Sequence, residues 1–99
     1  MMKNREEVLG LLREHRQAMQ RFGVHRLGLF GSIARGEGTA ESDLDVLVDL
    51  ERHTFDAYMG LKFFLEELCQ CRVDLVMEDT IKPRLRHDIL KEIVYVTGS

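Results

Sequence analysis

The sequence predicts an α/β fold of the α+β type, a small mixed β-sheet of three core strands flanked by helices. Three observations carry that expectation. Apolar residues alternate with other residues at period two in short runs near 24–30, 43–50 and 72–77, the spacing that sends successive side chains to opposite faces of a strand. Three longer stretches repeat apolar residues every three or four positions, as amphipathic helices do. Connector lengths then set strand directions. Residues 31–42 are too few for a crossover helix, so the second strand returns antiparallel to the first. Residues 55–70 are enough for one, so the third strand lies parallel to the second and beside it.

The first helix is expected over residues 4–22, where Val8, Leu11, Leu12, His15, Met19 and Phe22 share a face. Asn4 suits its N-cap with Glu7 three residues on, and Gly23 suits the C′ position. His15 reads as a half-buried packing residue; Arg13, Glu14, Arg16 and Arg21 form a solvated face. Val24–Phe30 follows as a strand with Leu27 and Leu29 on one side, its end bracketed by Gly28 and Gly31, which permit close backbone approach. Asp43–Leu50 is the central strand, turning Asp43, Asp45 and Asp49 one way and Leu44, Val46 and Val48 the other. Thr54 caps a helix from Phe55 to about Gln70 with a stripe of Phe55, Tyr58, Leu61, Leu65 and Leu68, widened by Phe64. Arg72–Met77 is the third strand, with Val73, Leu75 and Met77 on one face and Asp74 on the other. Pro83 opens a last helix to about Ile93, whose Leu85, Ile89 and Ile93 should pack on the sheet. Residues 93–96 form a short final extended segment, and 97–99 are expected to fray.

Ninety-nine residues suit one domain, 1–99, burying about 60–65% of the unfolded surface. At 44% hydrophobic and 31% charged the composition is that of an ordinary globular domain. A net charge of −3 argues against a general nucleic-acid binder, which would carry a basic stripe. No apolar run approaches the ~18 residues of a membrane helix, and Met1-Met2-Lys3-Asn4-Arg5 leads into no signal-peptide core. A cytoplasmic protein is expected. Cys69 and Cys71, one residue apart, cannot readily close an unstrained disulfide, and no His/Cys cluster completes a zinc site. They read as reduced thiols near a helix end.

The chemistry concentrates in residues 31–45. Alone, Asp43-Leu44-Asp45 reads as a strand-capping acid and a solvent-facing one. At roughly 7 Å two carboxylates repel by about 0.6 kcal/mol in water and about 2.4 kcal/mol at an effective dielectric near 20. A divalent cation between them reverses the sign. Ahead of them, Gly31-Ser32 follows a strand and opens a short helical turn to Arg35, presenting free N–H groups and a hydroxyl where phosphate can sit. A phosphate seat facing paired acids describes a nucleotide–metal site. Gly31 and Gly36 are spaced as in a Walker A loop, but Glu37 stands where its lysine would be, so a P-loop is excluded. Gly36 and Gly38 suggest a mobile loop, with Glu37 and Glu41 turned away from phosphate. If the register agrees, Asp74 joins Asp43 and Asp45, since adjacent strands lie about 4.8 Å apart. Arg35 could reach a phosphate or pair with Glu37 or Glu41. Asp49 lies too far along its strand to share the site; Arg84 and Arg86 are candidates for contacts to nucleotide or partner.

Leu29-Phe30-Gly31-Ser32-Ile33-Ala34-Arg35-Gly36, followed by Ser42-Asp43-Leu44-Asp45-Val46, resembles the signature of the minimal nucleotidyltransferases, small members of the DNA polymerase β-type superfamily. Asp74 corresponds to the superfamily's third acid, so the likeness covers nearly the whole chain. It implies a polymerase β-like fold and transfer of AMP from ATP, with Asp43, Asp45 and Asp74 holding two Mg²⁺ ions and Asp74 helping to take the nucleophile's proton. Gly31, Ser32 and Arg35 would bind the nucleotide. Larger members use extra domains to hold base and acceptor; 99 residues leave no room for one, so the base is held loosely or another chain completes the site. The resemblance further implies an antitoxin that modifies a hydroxyl, a tyrosine, of a partner HEPN-type ribonuclease toxin. Two alternatives stand beside it: an antitoxin that neutralises by binding alone, its metal site vestigial, and an enzyme that modifies a small molecule such as an aminoglycoside. The missing second domain counts against the latter.

Overall fold

A computed structural model describes residues 4–39 and 41–97; the signal-peptide question at Met1–Lys3 and the fraying expected at Gly98 and Ser99 lie outside the described residues, while Thr97, expected to fray with them, is instead held in a strand opposite Leu27. The expected N-terminal helix is two helices, α1 (Arg5–Glu14) and α2 (Arg16–Gln20). Asn4 caps the first: its Oδ1 accepts from the Glu7 N–H at 2.8 Å while its amide donates to the Glu7 carboxylate at 3.0 Å. The break falls at His15, which leaves helical geometry at φ −105°, ψ 21°. Its ring Nδ1 lies 2.9 Å from the Leu11 carbonyl oxygen, an acceptor its own N–H also uses. The ring is half-buried, edge-on to Phe64 at 6.3 Å. The apolar stripe survives the break, since Val8, Leu12 and Met19 are all fully buried.

Four strands, one more than expected, make up the sheet in the order β3-β2-β1-β4. They are β1 (Val24–Phe30), β2 (Leu44–Leu50), β3 (Val73–Met77) and β4 (Val94–Thr97). β1 and β2 are antiparallel and β2 and β3 parallel, as the connector lengths require. The extra strand is the segment read as merely extended. It pairs antiparallel with β1, Gly28 opposite Tyr95, and Val94 and Val96 pack against the core. Four residues are too short a run to announce a ladder. Gly28 admits the neighbouring chain closely, because a Cβ there would lie 2.7 Å from Ile93.

One face of the sheet is covered by α1, α2 and α4 (Phe55–Cys69). Leu27, Leu29, Leu44, Val46, Val48, Leu50, Val73 and Leu75 meet Leu61 and Leu65 there in a continuous apolar core. Thr54 caps α4 through the Ala57 N–H at 3.2 Å, and the Tyr58 hydroxyl donates to the Leu75 carbonyl at 2.6 Å, tying the helix to β3. Phe55, expected in the buried stripe, is 76% exposed, because the first helical residue precedes the turn that reaches the sheet. Cys69 is buried and Cys71 half-buried.

The other face carries Asp45, Asp49 and Asp74, with Leu47 buried among the outward positions of β2. Here Arg26 donates to Glu78 at 2.7 Å and stacks over Tyr95. The last helix, α5 (Pro83–Glu92), ends just before β4 and buries no residue fully. Leu85, expected on the sheet, is instead 50% exposed; the helix is anchored at its C-terminal end, where Ile89, Glu92 and the following Ile93 are half-buried.

Truncating Leu65, fully buried in α4, to alanine should cost about 3 kcal/mol. Phe63→Ala, on the exposed side of the same helix, should stay within about 0.5 kcal/mol. Denaturant unfolding of the two variants checks the assigned face.

Candidate active site

The site starts from three backbone facts. Phe30, the last residue of β1, lies opposite Asp45 in β2, and Asp45 in turn lies opposite Asp74 in β3. Directly after Phe30 the chain turns into the one-turn helix α3 (Gly31–Ala34). The register thus brings the Gly-Ser turn, Asp45 and Asp74 side by side across three strands, as the alternation requires if Asp74 is to join the pair.

Gly31 sits at φ +79°, and a Cβ on it would collide with the Asp45 carboxylate. No other residue fits both constraints. The Arg5 guanidinium donates to the Ala34 carbonyl at 3.3 Å, satisfying a group at the end of α3. Ser32 is half-buried, and among the described residues no partner holds its hydroxyl. Asp43 is exposed and stands one residue before β2 rather than inside it. Its approach is shaped by a small turn in which the Thr39 N–H donates to the Ser42 hydroxyl at 2.9 Å. Gly36 takes φ +80° on the way, and the loop expected to be mobile includes Ala40, which lies outside the described residues.

Asp45 is the electrostatic centre. Burial pushes its pKa up, and the charges of Asp74, Asp43 and Glu92 push it further, against a smaller opposing pull from Arg35. Asp45 therefore feels both of the other predicted acids. Among the described residues, however, no three His, Cys, Asp or Glu side chains are already gathered tightly enough to enclose a metal ion. The donor set still suits one: hard carboxylate oxygens whose mutual repulsion a divalent cation would relieve.

Arg35 settles in a way the sequence left open. Its Nε donates to Glu37 at 3.1 Å and its Nη1 to Glu92 at 2.9 Å. Glu37 is thus held by Arg35. Glu92 is the residue sequence reasoning missed. From the end of α5 its other oxygen accepts the Gly31 N–H at 3.1 Å, and Arg35, with that N–H, holds its carboxyl below the usual range. No motif announces it, since it lies 61 residues from Gly31. Asp49 lies opposite Arg26, away from the turn. Arg86 reaches Glu78, its Nη2 3.7 Å from the carboxylate, and Arg84 is exposed. A pocket of about 620 Å³ lined by Gln20, Arg21, Glu51 and Thr54 opens at the opposite end of β1 and β2.

A glycine-serine turn facing acids from two adjoining strands defines the nucleotidyltransferase class. Residues 12–96 match the nucleotidyltransferase domain family, and the chain belongs to it. More narrowly, it is a minimal nucleotidyltransferase of the MntA type. It is 41% identical over 93 residues to the protein adenylyltransferase MntA of Thermococcus cleftensis, covering 92% of this chain and 94% of the relative. A solved structure assigned as a minimal nucleotidyltransferase superposes at TM-score 0.73 with 43% identity, over 87% of this chain and 93% of that one. The fold is also that of a solved complex between a tri-AMPylated Shewanella oneidensis HEPN toxin and an MNT antitoxin, at TM-score 0.67 and 18% identity, covering 92% of this chain and 73% of that one.

Two measurements test this geometry. Gly31→Ala should destabilise the fold by about 1–3 kcal/mol, since it adds both a collision and a left-handed strain. For Asp45, the folded protein holds a proton more tightly than the unfolded chain. Its contribution to stability is therefore full below the ordinary aspartate value of 3.8 and is lost as pH rises through the raised value. Asp45→Asn should accordingly be more stable than wild type at pH 7, with the gap closing toward acid, in denaturant melts across pH.

Proposed function

We propose that the chain transfers AMP from ATP to a hydroxyl, a tyrosine, of a HEPN-type ribonuclease toxin, acting as its antitoxin in the cytoplasm. The observation that carries the reading is the register Phe30–Asp45–Asp74, which sets two acids beside the Gly31-Ser32 turn. The names of the relatives support the protein acceptor and the toxin partner.

In this reading the Gly31 amide and the Ser32 hydroxyl hold the outer phosphates, with Arg35 as a charge-assisted donor. Asp43, Asp45 and Asp74 would hold Mg²⁺, which when bound neutralises charge building on the phosphates and on the leaving pyrophosphate. The acceptor oxygen bonds to the α-phosphorus as the bond to pyrophosphate breaks. Asp74 takes the proton from that oxygen. It is suited to the role because it is exposed on the edge strand β3, where a large acceptor can reach it.

That among the described residues no three acids lie close enough together to enclose a cation favours one other reading, neutralisation by binding alone. A single assay separates them: labelled ATP with Mg²⁺ and the toxin, for wild type and variants. Asp43→Ala or Asp45→Ala should lower label on the toxin by at least about a hundredfold, and Ser32→Ala should raise the apparent KM for ATP by about tenfold. Toxin that stays neutralised but unlabelled with wild type would replace the catalytic reading with the binding one. Label that survives both aspartate changes would remove these acids from the mechanism.

A further inference from the structure

We propose that Glu92 belongs to the nucleotide site as a competitor for phosphate: its carboxylate holds the Gly31 amide and the Arg35 guanidinium, and a triphosphate gains both donors only by displacing it. The inference rests on the nucleotide reading above and adds to it a residue that sets affinity.

The geometry is that of an anion already seated. One Glu92 oxygen takes the Gly31 N–H at 3.1 Å and the other takes Arg35 Nη1 at 2.9 Å, one donor per oxygen, as two oxygens of a phosphate would. The seat is held against opposition. Glu92 lies at the C-terminal end of α5, where the helix dipole disfavours an anion, and its charge adds to that of Asp43, Asp74 and Asp45. Among the described residues only the two donors hold it there. Its side chain is 27% exposed, so water can take over its hydrogen bonds when it swings out. Glu37, the other partner of Arg35, is 64% exposed and does not touch Gly31, so it leaves the amide to Glu92 alone. A magnesium-bound triphosphate brings cation to the acids and more anionic oxygens to the donors, and wins on both counts.

The test measures binding of a non-hydrolysable ATP analogue with Mg²⁺ by calorimetry. Glu92→Gln keeps the shape and weakens the competitor, and should tighten binding by about fivefold or more. Glu92→Ala, checked for folding by its thermal melt, should tighten it as well. Asp88→Asn removes one exposed negative charge from the same helix without touching the turn, and should stay within about twofold of wild type. In ¹⁵N spectra the Gly31 amide should shift on Glu92→Gln, and the same resonance should shift on adding nucleotide to wild type. Unchanged or weaker binding by both Glu92 variants overturns the proposal, as does equal tightening by Asp88→Asn, which would make the effect one of overall charge. If wild type and every variant bind no nucleotide, the nucleotide reading falls and the competitor with it; wild-type binding without tightening at Glu92 removes only the competitor.

Discussion

Everything in this molecule that bears on chemistry depends on one register. β2 must lie between β1 and β3 so that Phe30, Asp45 and Asp74 fall in a single row. Slipping β2 by one residue would send Asp45 into the apolar layer and Leu44, Val46 and Val48 into water, and slipping β3 would do the same to Asp74 against Val73 and Leu75. The register is specified by that penalty. Leu44, Val46, Val48 and Leu50 all lie at 1% exposure or less against the helices. The hydrophobic effect on one side of the strand thus fixes, to the residue, where charge stands on the other.

That arrangement asks the chain to tolerate an unfavourable field. Asp45 is half-buried with like charges around it, and among the described residues only Arg35 opposes them. The protein keeps the cluster because the covering helices stabilise the sheet from the opposite face, where no polar or charged residue is buried among those described. The apolar core and the acid cluster are carried by opposite faces of the same strands. Gly31 joins the two, being the point where the backbone must bend around the Asp45 carboxylate.

How much of this could be read in the sequence follows from how local each cause is. The alternation in β2 and β3, the caps at Asn4 and Thr54 and the lengths of the connectors are properties of a few adjacent residues, and the strand directions follow from them. The Gly-Ser turn and its acids were legible for the same reason. The division of the first helix at His15 was not, because it turns on one side chain competing for a carbonyl in an otherwise continuous stripe. β4 was too short to declare its partner, and α5 has an apolar periodicity that the packing does not use at Leu85. Glu92 was out of reach altogether: an acid at the end of an exposed helix looks like any surface residue until the fold brings it to Gly31.

Only Ile93 separates Glu92 from β4, and β4 is zipped to β1, the strand that delivers Gly31. The helix end and the glycine turn are consequently moored to one common beam. Sliding α5 bodily away would unpick the ladder, so the inexpensive motion open to Glu92 is rotation about its own side-chain bonds. A gate of that kind needs no hinge in the backbone and answers as fast as a rotamer can turn.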